Sequence, residues 1–319
     1  MKPRAGGGIL YFLIIAMTLL MRISQGVGVA DALGADIGVM FTLVVQLGCF
    51  GALPLVGWWI IVGGCRKDEI RTLTYAFGFR KCGLRDILRI LAITVPLLLL
   101  VGVAANAWSN LLALIGYVRS PSVAEEQTVA ALLSEIALTA VLPGVFEELT
   151  HRGELMAAYR GLGGKAVFVS ALLFALMHQN IQQLAHTFVL GFVLAFVVYC
   201  TGSVFPAMFV HFFNNFISVV SGFGELVPAF GVVNTVSRWL YGTVYGMVAL
   251  CVLAAASAVL VFFVLGRMKK DAVRAGRIPG GRFFASAEGE LSLSRDMTFW
   301  AVVAIGVAAM LFSLSWGYL

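Results

Sequence analysis

The sequence predicts an all-α, polytopic integral membrane protein with about eight or nine transmembrane helices. Its 319 residues are 61% hydrophobic and only 12% charged, whereas a soluble domain carries about a quarter charged residues and slightly less than half apolar ones. The mean hydropathy is +0.96. Apolar runs of about 20 residues recur along the chain, and this is the length that an α-helix needs to cross a bilayer.

Nine apolar segments are candidate transmembrane helices. The first follows Lys2 and Arg4, which would also suit a signal peptide, but the many later segments favour an uncleaved anchor. The candidate spans cover residues 8–24, 37–64, 86–108, 127–158, 165–181, 184–201, 203–222, 238–266 and 297–317.

Basic residues are concentrated in two connecting segments, 65–89 and 267–295. Because Lys and Arg collect on the cytosolic side of a membrane, we expect both segments and the N-terminus to be cytosolic. The net charge of +6 agrees with this topology and with attraction to anionic lipid headgroups. It does not indicate nucleic-acid binding, because no soluble domain presents a basic face with interleaved aromatic residues.

The distribution of polar residues divides the chain into three parts. Residues 1–124 contain the N-terminal transmembrane helices, and residues 125–222 form a compact core that holds nearly all the intramembrane polar groups. Residues 223–319 add C-terminal transmembrane helices around a basic cytosolic loop at 267–296. The chain shows no internal repeat, so it lacks the inverted-repeat pattern of many transporters.

The segment LPGVFEELTHRGELM, residues 142–156, places five ionisable side chains in an apolar context. A charged residue at the centre of a membrane helix costs about 2.5–3.5 kcal/mol, so such a cluster predicts a functional site. If the helix continues to Arg160, Glu147 lies 13 residues, or about 20 Å, inside that end. His178 reaches a similar depth in the next span, and His211 lies about 12 Å deep in a later one.

Helical spacing groups these polar residues into pairs. Glu148 and Arg152 are four residues apart, so they share a helix face and can form a buried ion pair. Glu147 points about 100° away from that face and stays available for chemistry. Two further pairs have the same four-residue spacing, Phe174 with His178 and His211 with Asn215. Each pair projects from one face of its helix toward a shared pocket.

One glutamate, two histidines and an asparagine at matched depth suit attack by water on an amide carbonyl. A carboxylate and an imidazole can hold a water and take its proton, which typically raises a rate by about 10²- to 10⁴-fold. A second imidazole and an amide can donate hydrogen bonds to the oxyanion that develops. Each residue alone would fit a polar contact between helices, but their joint occurrence favours a site.

The three groups of residues correspond to the motifs EExxxR, FxxxH and HxxxN. Through these motifs the sequence resembles the CPBP family, which includes type II CAAX prenyl endopeptidases and bacteriocin-processing intramembrane proteases. The resemblance covers about residues 125–222, and the matching residues are Glu147, Glu148, Arg152, Phe174, His178, His211 and Asn215.

The resemblance implies a role for each motif residue. Glu147 would be the base that activates a water, with assistance from His178. His211 and Asn215 would stabilise the oxyanion. The supporting residues would be Glu148, Arg152 and Phe174.

The cofactor stays open between none and a divalent metal. Glu147, His178 and His211 could bind zinc with water as the fourth ligand, and the family has been described both as metalloproteases and as metal-independent glutamate proteases. The scheme of a glutamate and a water needs no ion, so the residues favour a metal-independent site. His151, four residues after Glu147, could join either scheme.

The expected function is an intramembrane endopeptidase in the cell membrane of a prokaryote. Its partners would be the lipid bilayer and a membrane-associated protein or peptide substrate, of the prenylated CaaX type according to the resemblance, and no nucleic acid. Two alternatives stay open. One is a non-catalytic membrane partner or bacteriocin-immunity protein, because a fold does not define a function, and the other is a proton-coupled transporter.

Overall fold

The computed structural model describes residues 14–16, 18–19, 37–56, 77–117, 127–280, 293 and 296–317. Over these residues the chain is helical and contains no β-strand, so the prediction of an all-α protein is confirmed. The predicted span at 8–24 and the second part of the span at 37–64 lie largely outside the described residues.

We number the described helices in chain order. They are α1 (37–56), α2 (Leu84–Leu114), α3 (Val129–Ala158), α4 (Lys165–Met177), α5 (Leu184–Thr201), α6 (Phe205–Gly222), α7 (Pro228–Gly242), α8 (Val244–Arg274) and α9 (Met297–Ser313).

Five of these segments are long and apolar enough to cross a membrane: Val39–Val56 within α1, α2, α3, α5 with the turn before it, and α8. Helices α4 and α9 are apolar but shorter. The protein is therefore a multi-pass membrane protein, as the sequence predicts. The total of eight or nine spans stays a prediction.

Helix α7 was not predicted from hydropathy. The predicted span at 238–266 was wrong at its start, because α7 ends at Gly242 and α8 begins at Val244. Thr243 separates the two helices, and its hydroxyl accepts a hydrogen bond from the Gly246 backbone N–H at 2.9 Å. This N-cap satisfies a backbone donor of the first turn of α8, so an apolar run continues across a break in the helix.

Both basic segments are partly helical. Helix α8 continues to Arg274, so the first residues of the predicted loop at 267–296 are helical. Helix α2 begins at Leu84, so the last part of the predicted connection at 65–89 is helical too. Basic side chains are stabilised near a helix C-terminus, so α8 can continue beyond its apolar part into the basic residues. The fall in hydropathy near residue 267 therefore marks the expected membrane surface and not the end of the helix.

Helix α5 lies at the centre of the bundle and packs against α2, α4, α6 and α8. It is the most buried of the five candidate membrane spans, and Leu190, Leu194 and Val197 belong to the largest apolar cluster of the described residues. Gly202 ends α5 with a φ of 69°, a left-handed conformation that glycine adopts at low cost. The chain then turns directly into α6, which carries His211.

The predicted cytosolic segments meet at one end of the bundle. Ser203 Oγ donates to Arg80 O at 2.6 Å, and Arg89 Nη2 donates to Asp271 Oδ2 at 2.7 Å. These contacts join the start of α2, the connection between α5 and α6, and the end of α8. That this end faces the cytosol stays a prediction based on its positive charge.

Candidate active site

A buried ion pair on α3 forms the centre of the polar cluster. Arg152 Nη1 donates to Glu148 Oε1 at 2.7 Å, and both side chains are fully buried, so the pairing predicted from the four-residue spacing is confirmed. Arg152 Nη2 also donates to Gly191 O on α5 at 3.0 Å. The guanidinium carbon lies 4.3 Å from the centre of the Phe174 ring, which adds a cation–π contact. These contacts compensate the loss of hydration that burial of both charges entails.

His211 joins this pair from α6. Its Nδ1 lies 2.9 Å from Glu148 Oε1, and the ring is 3% exposed. An ionised carboxylate accepts hydrogen bonds and does not donate them, so Nδ1 carries the proton. His211 can then donate from Nε2 only when both ring nitrogens are protonated.

The close approach of α6 to α3 depends on Gly144. A Cβ atom at this position would lie 3.0–3.1 Å from the Cβ, Cα and N atoms of Phe212. Backbone atoms cannot move aside at low cost, so a larger residue would push the helices apart. The absence of a side chain at Gly144 therefore helps to bring His211, the neighbour of Phe212, within reach of Glu148.

The imidazole rings of three histidines pack around the Phe174 ring. Its centre lies 4.9 Å from the ring centre of His178, 5.1 Å from that of His151 and 5.6 Å from that of His211, each in an edge-to-face arrangement. Phe174 itself is buried. Residues from α3, α6 and the end of α4 thus meet around one ring, although they are far apart in sequence.

His178 and His151 each have one ring nitrogen bound to a backbone carbonyl. Nδ1 of His178 lies 2.8 Å from Phe174 O, and Nδ1 of His151 lies 2.7 Å from Glu147 O. Carbonyl oxygens only accept hydrogen bonds, so Nδ1 carries the proton and Nε2 is the acceptor of the neutral ring. This tautomer allows His178 to accept a proton, as its predicted role requires.

Glu147 is buried beside the ion pair and has a partner that the sequence did not predict. Gln46 Nε2, on α1, donates to Glu147 Oε1 at 2.8 Å. The other carboxylate oxygen, Oε2, has no hydrogen-bond partner among the described residues. Glu147 therefore combines one anchored oxygen with one that could hold a water. A single amide in the apolar run TLVVQLGCF was the signal for Gln46, since polar side chains within membrane spans usually contact other helices.

Asn215 lies one turn after His211 on α6, but its known contacts lead away from the ion pair. Asn215 Nδ2 donates to Thr139 O at 2.9 Å, and Asn214 Nδ2 donates to Asn215 Oδ1 at 3.0 Å. Thr139 precedes Glu147 by eight residues, about 12 Å along a helix. An oxyanion role for Asn215 would have to use the second hydrogen of Nδ2.

Stretches of π-type hydrogen bonding border the polar cluster. They are Val44–Ala52 in α1, and Ile136–Val141 and Leu149–Leu155 in α3. A π-type turn is wider than an α-turn and is frequent at functional sites. Gln46 and Thr139 lie in these π-type turns. The turns therefore position the groups that contact Glu147 and Asn215, and α-helical periodicity predicts neither contact.

The choice between no metal and a divalent metal at Glu147, His178 and His211 stays a prediction. Within the described ranges no group of three or more His, Cys, Asp or Glu side chains is arranged to hold a metal ion. We therefore derive no step of the reaction through a metal.

The fold and the site define a class of protein: a multi-pass helical membrane protein with a buried carboxylate, ion pair and histidine cluster. Residues 129–217 match the family model described as type II CAAX prenyl endopeptidase Rce1-like. The matched segment runs from the start of α3 into α6 and contains every motif residue from Glu147 to Asn215.

The match confirms the predicted resemblance to the CPBP intramembrane proteases over this segment. The matched family is a family of proteases that act on peptides within a membrane environment, which supports peptidase activity at the level of the family. Comparisons with curated proteins and with solved structures gave no match.

Proposed function

We propose that this protein is an intramembrane endopeptidase that hydrolyses a peptide bond of a membrane-associated substrate. The observation that carries the proposal is the arrangement at Glu147. One carboxylate oxygen is held by Gln46, and the other has no hydrogen-bond partner among the described residues. The Glu148–Arg152 pair follows directly in the sequence. Glu147, Glu148 and Arg152 lie inside the segment that matches a protease family, whereas Gln46 lies outside it.

Glu147 acts as the base in this proposal. A water bound at Oε2 loses a proton to the carboxylate while its oxygen attacks the carbonyl carbon of the substrate. His178 assists by accepting a hydrogen bond from the water at Nε2. The tetrahedral intermediate collapses when the carbon–nitrogen bond breaks, and Glu147 returns the proton to the departing amine.

His211 stabilises the oxyanion of the intermediate. Because Nδ1 binds Glu148, the imidazolium form donates from Nε2 to the negative oxygen, and its charge matches the charge that develops there. Asn215 contributes its second amide hydrogen. Glu148 and Arg152 hold the ring of His211 in place, and Phe174 supports the ring and the guanidinium from one side.

The proposed substrate is a prenylated protein with a C-terminal CaaX sequence, on the basis of the family match alone. The test uses purified protein in lipid vesicles and the same fluorescent CaaX peptide with and without a prenyl group. Preferential cleavage of the prenylated peptide would support this class, and equal rates would show that the prenyl group is not recognised.

The catalytic assignment is tested with Glu147→Gln and with a matched control, Glu225→Gln, which removes the same charge from an exposed position after α6. We expect Glu147→Gln to lose cleavage by about 10²-fold or more, and Glu225→Gln to keep it. If a folded Glu147→Gln protein cleaves at the rate of the unsubstituted protein, the role of Glu147 is wrong.

A further inference from the structure

A charged pocket lies at one end of the bundle, between the start of α2 and the end of α8. Its volume is about 530 Å³. Four arginines and two aspartates line it, so the pocket carries excess positive charge. The charged lining residues are Arg85, Asp86, Arg89, Asp271, Arg274 and Arg277.

The two aspartates do not use all of the arginine donors. Arg89 is held firmly, at 2.7 Å from Asp271 and 3.1 Å from Asp86. Arg85 and Arg274 approach Asp271 only to 3.9 Å and 3.8 Å, and their side chains are 80% and 79% exposed. These two guanidinium groups can turn toward a ligand, and a guanidinium binds phosphate oxygens through two parallel hydrogen bonds.

Exposed apolar surface on α2 begins next to the pocket. Leu84, Leu88, Leu91 and Val95 are all exposed and follow one another at spacings of three and four residues. They therefore form one stripe on the outer face of α2. In a membrane protein such a stripe contacts acyl chains, so the pocket lies where the headgroup layer begins.

Helix α8 shows the same succession of apolar and basic residues. Phe262 is exposed, and Lys270 and Arg274, which are four residues apart and share a face with each other, follow it toward the end of α8. Aromatic and basic residues in this order are typical of a helix that leaves the hydrocarbon layer. Both walls of the pocket thus combine a basic end with an apolar surface.

We propose that this pocket binds the phosphate headgroup of an anionic phospholipid, whose acyl chains lie along the apolar faces of α2 and α8. Basic pockets between membrane helices bind such headgroups through charge. The neighbouring apolar stripes distinguish a lipid from a free phosphate ion, which would gain nothing from them. The pocket lies outside the family-matched segment at 129–217, and the proposal does not depend on the proposed protease activity.

The test measures lipid retained by the full-length protein. The protein is incubated with equal parts of phosphatidylglycerol and phosphatidylcholine, and the bound lipid is counted by native mass spectrometry. We expect selective retention of phosphatidylglycerol, and a loss of about thirtyfold in its affinity for Arg274→Gln/Arg277→Gln. The matched control, Lys81→Gln/Arg238→Gln, removes the same charge outside the pocket and should retain the lipid.

Several results would overturn the proposal. Equal retention of both lipids would show that the headgroup charge is not recognised. Equal losses of phosphatidylglycerol affinity in the two double variants would show general electrostatic attraction and no specific binding site. Displacement of the lipid by millimolar inorganic phosphate would assign the pocket to a free anion. If Arg274→Gln/Arg277→Gln does not fold, the single variant Arg85→Gln, at a highly exposed side chain, should lower affinity by roughly fivefold, and no change there would also overturn it.

Discussion

Replacement of Arg152 by methionine should destabilise the protein more than any replacement at its surface. The change keeps most of the side-chain volume but removes the 2.7 Å bond to Glu148, the 3.0 Å bond to Gly191 O and the contact with Phe174. Glu148 then stays buried without the guanidinium and keeps only the hydrogen bond from His211 Nδ1. Loss of one partner of a buried ion pair costs about 3–5 kcal/mol, and we expect a loss of this size in the free energy of unfolding.

Two further variants separate the contributions. Arg152→Lys keeps a positive charge near Glu148 but loses the second guanidinium nitrogen, which donates to Gly191 O. It should therefore lower the free energy of unfolding by about 1–2 kcal/mol. Glu148→Gln/Arg152→Met removes both charges, leaving no uncompensated ion, so it should be less destabilised than Arg152→Met alone.

The assay is reversible unfolding in mixed micelles, followed by far-ultraviolet circular dichroism as the fraction of denaturing detergent rises. Arg85→Gln is a suitable control because its side chain is 80% exposed and it should change the unfolding free energy little. Two outcomes would refute the reasoning: a loss below about 1 kcal/mol for Arg152→Met, or a double variant that loses the sum of its two single replacements.

The other predictions concern cleavage of the peptide substrate. Gln46→Leu removes the donor to Glu147 Oε1, so kcat should fall about tenfold or more with little change in KM, and an unchanged kcat would exclude a positioning role. Gly144→Ala forces Phe212 and α6 away from α3, so the rate should fall about tenfold. Gly266→Ala should have no such effect, because among the described residues no other segment lies within 4 Å of its new Cβ. Cleavage should continue after treatment with a metal chelator; its loss, and recovery on adding zinc, would contradict the metal-independent scheme.

Contacts within one helix could be predicted from the sequence, because helical geometry places side chains four residues apart on the same face. The Glu148–Arg152 pair follows from this rule alone. The all-α membrane fold is equally local, since it depends on the length and hydropathy of each segment. The end of α7 and the start of α8 were harder to predict from the sequence, because a single threonine N-cap interrupts an apolar run.

Contacts between helices could not be predicted in the same way. Gln46 is 101 residues from Glu147, and His211 is 63 residues from Glu148. No periodicity relates such positions, and each contact depends on how closely two helices approach, as at Gly144. The sequence identified His211 as part of a polar site, but only the packing of α6 on α3 assigns its Nδ1 to Glu148.

The amino-acid sequence by itself determined that this chain enters a membrane as helices and which polar residues it takes there, because the cost of charge in hydrocarbon acts on each segment separately. The tertiary structure decided how those residues are used. It brings Gln46 of α1 to one carboxylate oxygen of Glu147, directs Asn215 toward Thr139, and brings four arginines together where α2 meets α8. These choices depend on distances between segments that are set only when the helices pack together.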